Sequence, residues 1–233
     1  LFLCQPQSVC VSYSVSDPDG LAGIVETMFS GYGAIDTLNN QICFTPISAG
    51  SYTFIVEAAD PCGQTDRDTV IVTVAFGQMP QITCPTSAFN KFLCGPDSIL
   101  QTLAITPDSA HVTLSNGIYA NGMVRFYAPT EGTYNITVIA AVQCGADTCE
   151  MTFNVDFNSP PVANAGNDQN IFQCTPAAIS WAASCSDVDG NLATCQLVSG
   201  IGSYNGSNIS FTPTGTGIYE FILKATDACG AED

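Results

Sequence analysis

One pattern occurs three times along this chain: a segment that runs from Gly-x-Tyr to Cys-Gly. Its copies are Gly50-Ser51-Tyr52 to Cys62-Gly63, Gly132-Thr133-Tyr134 to Cys144-Gly145, and Gly217-Ile218-Tyr219 to Cys229-Gly230. A proline precedes each Gly-x-Tyr (Pro46, Pro129, Pro213), and each repeat opens near an apolar-Cys signature: Phe2-Leu3-Cys4, Phe92-Leu93-Cys94 and Phe172-Gln173-Cys174. The proline and tyrosine landmarks recur every 82 to 85 residues. That is the length of one small all-β domain rather than of a solenoid coil. The period therefore predicts tandem modules in place of one enlarged globule.

Within each repeat the dominant period is two. Tyr52, Phe54, Val56 and Ala58 fall on one face, opposite Thr53, Ile55 and Glu57. Tyr134, Ile136, Val138 and Ala140 repeat the alternation, as do Tyr219, Phe221, Leu223 and Ala225. Met151, Phe153, Val155 and Phe157 are expected to point inward. No stretch offers a capped amphipathic helix, and short alternating strands between turn signals argue a sandwich. The tyrosine after each glycine resembles the tyrosine corner of immunoglobulin-like folds, in which the phenol bonds nearby backbone. The expected fold is all-β: three tandem immunoglobulin-like β-sandwich domains in an elongated rod, spanning 1–76, 77–157 and 158–233. Three sandwiches of ~40 Å each would make a rod of roughly 120 Å. The first domain lacks a counterpart to the segment Gln81 to Ala88, and the third lacks one to Asp68–Val74. The chain thus reads as a window on a longer repetitive polypeptide, with these strands missing or supplied from outside.

A family resemblance rests on short motifs. Pro161-Val162-Ala163-Asn164-Ala165-Gly166-Asn167-Asp168-Gln169, then Ser186-Asp187-Val188-Asp189-Gly190 and Gly217-Ile218-Tyr219, resemble PKD-type repeats. The first repeat is similar through Asp17-Pro18-Asp19-Gly20 and Gly50-Ser51-Tyr52. The second resembles the hyalin repeat (HYR), with Ile82-Thr83-Cys84-Pro85 early and Thr148-Cys149-Glu150-Met151-Thr152-Phe153 late. The resemblance implies immunoglobulin-like spacers and adhesive modules of bacterial cell-surface proteins, not catalysts. The chain departs from ordinary PKD domains in its cysteine density.

Domains of this size bury only about 60% of their unfolded surface and usually need added stabilisation. Twelve cysteines, scattered rather than set in paired metal knuckles, are a candidate source. They indicate an oxidising compartment, hence an extracellular or cell-surface location. Cys10 and Cys43 occur only in the first repeat, where the others have Leu100 and Phe126, and Ser180 and Ser210. Both come and go together, as bonded partners should. By the same comparison Cys84 pairs with Cys149, as the hyalin-repeat resemblance also implies, and Cys185 with Cys195. One early and one late cysteine remain per repeat. In an immunoglobulin-like sandwich Cys94 lies ten residues beyond Cys84 and roughly 30 Å from Cys144, where a disulfide needs a Cα spacing of about 4.4–6.8 Å. Staples across the junctions are therefore expected: Cys4–Cys144 and Cys94–Cys229, with Cys62 and Cys174 bonded to neighbouring repeats. A bent first strand would instead allow Cys4–Cys62, Cys94–Cys144 and Cys174–Cys229.

Four basic residues against 21 acidic ones give a net charge of −17. Such a polyanion repels nucleic acid and anionic membranes, and no apolar run long enough to insert into a bilayer is present. It suits divalent cations or simple solubility. Asp17, Asp19 and Asp60 are expected to converge at one pole of the first sandwich, and Asp187, Asp189 and Asp227 at that of the third. The second repeat has Pro107, Ser109 and Val142 there. Carboxylates clustered in loops suit Ca²⁺, although Asp-x-Asp-Gly is also a good turn sequence. Asn135, Asn205 and Asn208 fit the N-glycosylation acceptor pattern. His111 is the single histidine and no nucleophile motif is near it, so catalysis is not expected. The leading functional expectation is a repeat unit of a disulfide-stabilised secreted or surface fibre whose partners are neighbouring copies. The alternative is an adhesin stalk or spacer module that grips surface glycans or proteins.

Overall fold

The computed structural model describes residues 1–20 and 22–233. Every regular element among them is a β-strand, as a two-residue hydrophobic period requires. The chain groups into two compact units. The first holds Leu1–Thr86, Leu100–Arg125 and Ile136–Met151; the second holds Ser87–Ile99, Phe126–Asn135 and Thr152–Asp233. The division runs through the second repeat and so does not follow the repeat boundaries.

In the first unit, Gly50–Ala59 pairs antiparallel with Thr65–Phe76, from Gly50 opposite Val74 to Ala59 opposite Thr65. These are the inner strands of a four-stranded sheet edged by Phe2–Leu3 and Val25–Ser30. A second sheet is formed by Val9–Ser12, Gln41–Phe44 and Ala34–Asp36. Alternate residues of both sheets, among them Ile42, Phe44, Phe54, Val56, Val72 and Val74, form one buried cluster. Burial of each such side chain contributes about 1.5–3 kcal/mol. Phe44 packs tilted rings against Phe54 and Tyr52 at centroid distances of 4.7 and 5.1 Å. The same unit contains the hairpin of Ile118–Ala120 and Met123–Arg125. Its turn residues Asn121 and Gly122 have φ of 51° and 76°, the left-handed pair that a tight two-residue hairpin needs.

In the second unit, Phe89–Leu93 runs parallel to Phe153–Phe157. The third repeat places Ile179–Ala182 and Ser203–Tyr204 on either side of Asn208–Phe211, and pairs Leu192–Ser199 with Ile222–Asp227. Its core of Ala183, Ile209 and Leu223 is smaller than that of the first repeat. Trp181 packs edge-on to Phe211 and Phe221, and its indole N–H donates to the Ala165 carbonyl at 2.7 Å. It is half-buried.

Each Gly-x-Tyr closes a corner of the same design. The phenol donates to the carbonyl four residues back: Tyr52 to Ser48 at 2.9 Å, Tyr134 to Thr130 at 2.6 Å and Tyr219 to Gly215 at 2.9 Å. It also accepts a backbone N–H, from Ser48, Thr130 and, in the third repeat, both Thr214 and Gly215. For Tyr52 and Tyr219 the Ser48 and Thr214 contacts outweigh burial and hold the phenol below its ordinary pKa.

One detail differs from the expected strand placement. The sandwich geometry that sets Cys94 ten residues beyond Cys84 expects one continuous opening strand, but that strand is broken. Gln81–Ile82 pairs with Ile105–Thr106, whereas Phe89–Leu93 lies on the Phe153–Phe157 strand. Cys84 and Pro85 lie between the two, where a proline has no N–H to offer a ladder.

Candidate functional site: cysteine junctions and acidic turns

The five disulfides are Cys4–Cys144, Cys10–Cys43, Cys84–Cys149, Cys94–Cys229 and Cys185–Cys195. Cys10 and Cys43 face each other directly across adjacent strands. Cys62 and Cys174 are unpaired and exposed. The within-repeat pairings Cys4–Cys62, Cys94–Cys144 and Cys174–Cys229 are not made. Parallel pairing of Phe89–Leu93 with Phe153–Phe157 carries Cys94 to the outgoing end of that strand. There it meets Cys229 of the following repeat at a Cα distance of 5.3 Å. Cys4 meets Cys144 in the same way at 5.1 Å.

Each late cysteine belongs to a short turn, and in two repeats an aspartate organises that turn. In the third repeat Asp227 Oδ1 accepts the Ala231 N–H at 2.8 Å and its carbonyl accepts the Gly230 N–H at 3.2 Å. In the first, Asp60 Oδ1 accepts the Gln64 N–H at 2.7 Å and its carbonyl the Gly63 N–H at 3.1 Å. The Asp-x-Asp-Gly turns match as well. Asp187 Oδ1 accepts from Asp189 N at 2.8 Å, and Asp17 Oδ1 from Asp19 N at 2.7 Å. In the first repeat Gly23 lies against the Asp60 turn, since a Cβ on it would come 2.7 Å from Pro61 Cγ.

The turns of the third repeat hold a ligand that sequence reasoning did not foresee: the linker that enters the repeat. Asn158 Nδ2 donates to Asp227 Oδ2 at 2.7 Å, and the Ser159 N–H donates to Asp189 Oδ2 at 2.6 Å. The Asn158 N–H donates to the Leu93 carbonyl at 2.9 Å. One residue thus ties the strand that leads to Cys94 to the turn that carries Cys229. Asp227 is 3% exposed. Burial works to raise its pKa, but the Asn158 amide and the N–H groups of Ala231, Cys229 and Gly230 outweigh that and hold it below the usual carboxylate value.

The junction of the first two repeats replaces both partners together. Gly77 stands where Asn158 stands, and its N–H donates to the Leu3 carbonyl at 2.8 Å. Val142 stands where Asp227 stands. Any side chain at Gly77 would overlap the Cys144 sulfur and the Phe2 ring. The joint exchange of Asn158 with Asp227 for Gly77 with Val142 was the available sequence signal, and it appears only when linkers are aligned with turns.

Among the described residues no group of three or more His, Cys, Asp or Glu is arranged to hold a metal ion. In the third repeat Asp227 and Asp189 give oxygens to N–H donors, and Ca²⁺ wants a shell of about six to eight oxygens. As arranged, these carboxylates act as acceptors for turn and linker N–H groups. Asn135 is exposed on the strand Gly132–Val142, and its Oδ1 accepts from the Thr152 hydroxyl at 2.9 Å. Asn205 caps a turn by accepting from Ser207 N and Asn208 N. Asn208 begins the strand Asn208–Phe211. His111 is exposed on an edge strand, opposite Ala141.

No family model matches the chain, and no curated protein matches it either. Solved structures do. Immunoglobulin domains 1–5 of Sidekick-1 superpose with a TM-score of 0.50 at 10% identity, over 100% of this chain and 56% of that one. The I-band fragment I67–I69 from titin superposes with a TM-score of 0.45 at 11% identity, over 100% of this chain and 92% of that one. Extracellular cadherin domains 3–6 of protocadherin gamma B2 reach 0.44 at 16% identity, over 100% and 68%. At these identities the likeness concerns the fold alone, and the Sidekick-1 superposition is the one that carries it: the chain is all-β and of the tandem immunoglobulin-like class. Among the described residues no helix is long and apolar enough to cross a membrane.

Proposed function

We propose that this chain is a structural repeat unit of a secreted or cell-surface fibre, built of domains at 1–76, 77–157 and 158–233. PKD-type modules would flank a hyalin-type one. The observation that supports this most is that Cys4–Cys144 and Cys94–Cys229 each leave their own repeat and bond the next. A spacer that only displays a binding tip has no need of covalent bonds at every junction, whereas a load-bearing fibre gains from them. In this reading the partners are neighbouring copies or repeats of the same protein in an oxidising extracellular setting, and the chain performs no catalysis. The acidic surface then serves to keep fibres from clumping.

The test is electron microscopy of native material before and after mild reduction. Filaments that become more flexible or shorter on reduction are expected. Native material that consists of separate monomers would refute the reading.

A second reading, an adhesive module, has one observation in its favour: Phe29 and Tyr32 are 50% and 68% exposed. The Arg67 guanidinium, however, already lies 3.4 Å over the Phe29 ring. Glycan-array binding that is lost in Tyr32→Ala would promote this reading above the fibre.

A further inference from the structure

The six junction cysteines are of two kinds. Cys4, Cys94 and Cys174 end the opening segment of a repeat; Cys62, Cys144 and Cys229 sit in the Cys-Gly turn. Both junction bonds obey one polarity, in which the opening-segment cysteine of one repeat takes the turn cysteine of the next. One cysteine of each kind remains unpaired, Cys174 and Cys62, and both are exposed.

Cys62 does not stand alone. It lies in a turn that repeats three of the backbone and aspartate hydrogen bonds around Cys229. Asp60 accepts from Gln64 N as Asp227 does from Ala231 N. The Asp60 N–H donates to the Gln64 carbonyl at 2.9 Å as the Asp227 N–H does to the Ala231 carbonyl at 3.0 Å. In the third repeat this turn already receives a junction, through Asn158 on Asp227 Oδ2 and Cys94 on Cys229. In the first repeat the corresponding oxygen, Asp60 Oδ2, has no partner among the described residues, and Cys62 has none. The turn is a built receptor for a junction, and its precedent is in the same molecule.

We infer that Cys174 of one copy bonds Cys62 of a second copy, so that copies join head to tail through a third junction of the same design. This rests on the fibre reading and names its covalent partner. The bond forms by exchange with an oxidised disulfide donor, such as a thiol oxidoreductase or oxidised glutathione. One thiolate attacks the donor to give a mixed disulfide, and the second displaces the donor thiolate. Two thiols lose two protons and two electrons, and the donor is reduced to two thiols. Polarity then limits the pairing: Cys174 joins Cys62 and not another Cys174.

The experiment uses the 233-residue chain in a buffer of reduced and oxidised glutathione, with the five existing disulfides verified by mass as the check on folding. The wild-type chain is expected to give a ladder on non-reducing electrophoresis. Cys62→Ser alone and Cys174→Ser alone are expected to stay monomeric, and their equimolar mixture to give dimers and nothing larger. Peptide mapping of those dimers is expected to yield a Cys174–Cys62 linked peptide.

Dimers of Cys62→Ser alone would overturn the proposal, as would a wild-type monomer with Cys62 bonded to its own Cys174 or with both thiols free. In native filaments, Cys174 bonded to a peptide outside this sequence would overturn the second-copy assignment and leave the fibre reading intact. Filaments that persist with both cysteines replaced would do the same. Absence of filaments from native material would instead sink the fibre reading itself.

Discussion

Removal of the Cys4–Cys144 bond as the double variant Cys4→Ser/Cys144→Ser leaves no stray thiol and releases the start of the first repeat. The ends of that repeat are held together in the native state, with the Gly77 N–H on the Leu3 carbonyl at 2.8 Å. With the staple present, unfolding of the first repeat leaves a closed loop from Cys4 to the linker. The Cys10–Cys43 bond shortens that loop to about 40 residues, which corresponds to about 13 cal/mol/K of restricted chain entropy, or about 4 kcal/mol at 25 °C. Domains of this size have a total stability of about 4–11 kcal/mol, at about 0.05–0.15 kcal/mol per residue. The staple is therefore a large part of what keeps the first repeat folded. The readout is native-state hydrogen exchange by mass spectrometry over Gly50–Ala59 and Thr65–Phe76, the inner strands of its larger sheet. Their slowest amides report opening of the whole repeat. At about 1.4 kcal/mol per decade, exchange should accelerate about a thousand-fold in the double variant. Peptides from the third repeat, such as Asn208–Phe211, should not change. Acceleration of less than about ten-fold would refute the argument, because the loop would then not be what the bond restricts.

Replacement of Tyr134 by Phe removes the phenol that bridges Thr130 and is expected to cost about 1 kcal/mol, seen as a melting point lower by about 4–8 °C. Asp227→Asn should loosen the Asn158 linker, seen as faster exchange at Phe153–Phe157 and Asn158, while Asp60→Asn should leave those peptides unchanged. Because its native pKa is depressed, the contribution of Asp227 is fully present above the ordinary aspartate pKa near 4. It is lost as pH falls through the lower native value. Stability in Asp227→Asn should therefore depend less steeply on pH below about 4 than in wild type. Millimolar Ca²⁺ is expected to leave the melting point unchanged, and a rise abolished by Asp17→Asn would restore a metal role to the first-repeat turns. Tyr13, raised by burial and by its bond to Glu26, should remain un-ionised in a spectroscopic titration through pH 10, where an exposed tyrosine is half ionised.

The parts of this molecule legible in the sequence are those governed by neighbours along the chain. Alternation put Phe54 and Val56 on one face because successive residues of a strand point to opposite sides, and both are buried. The Pro and Gly-x-Tyr landmarks marked the corners because a phenol can reach a carbonyl only four residues away. The cysteines could be compared because the junction kinds recur at one place in each repeat and the others occur in a single repeat.

Tertiary structure decided the rest. The break at Cys84 depends on which sheet has an edge free to receive each half of the opening segment, and local pattern does not encode that. The capture of Asn158 by Asp227 joins residues 69 positions apart. No local propensity distinguishes that aspartate from one that merely closes its own turn. The same separation explains the acidic turns of the third repeat: sequence shows where carboxylates cluster, but only the fold shows that N–H groups of the incoming linker bond Asp227 Oδ2 and Asp189 Oδ2.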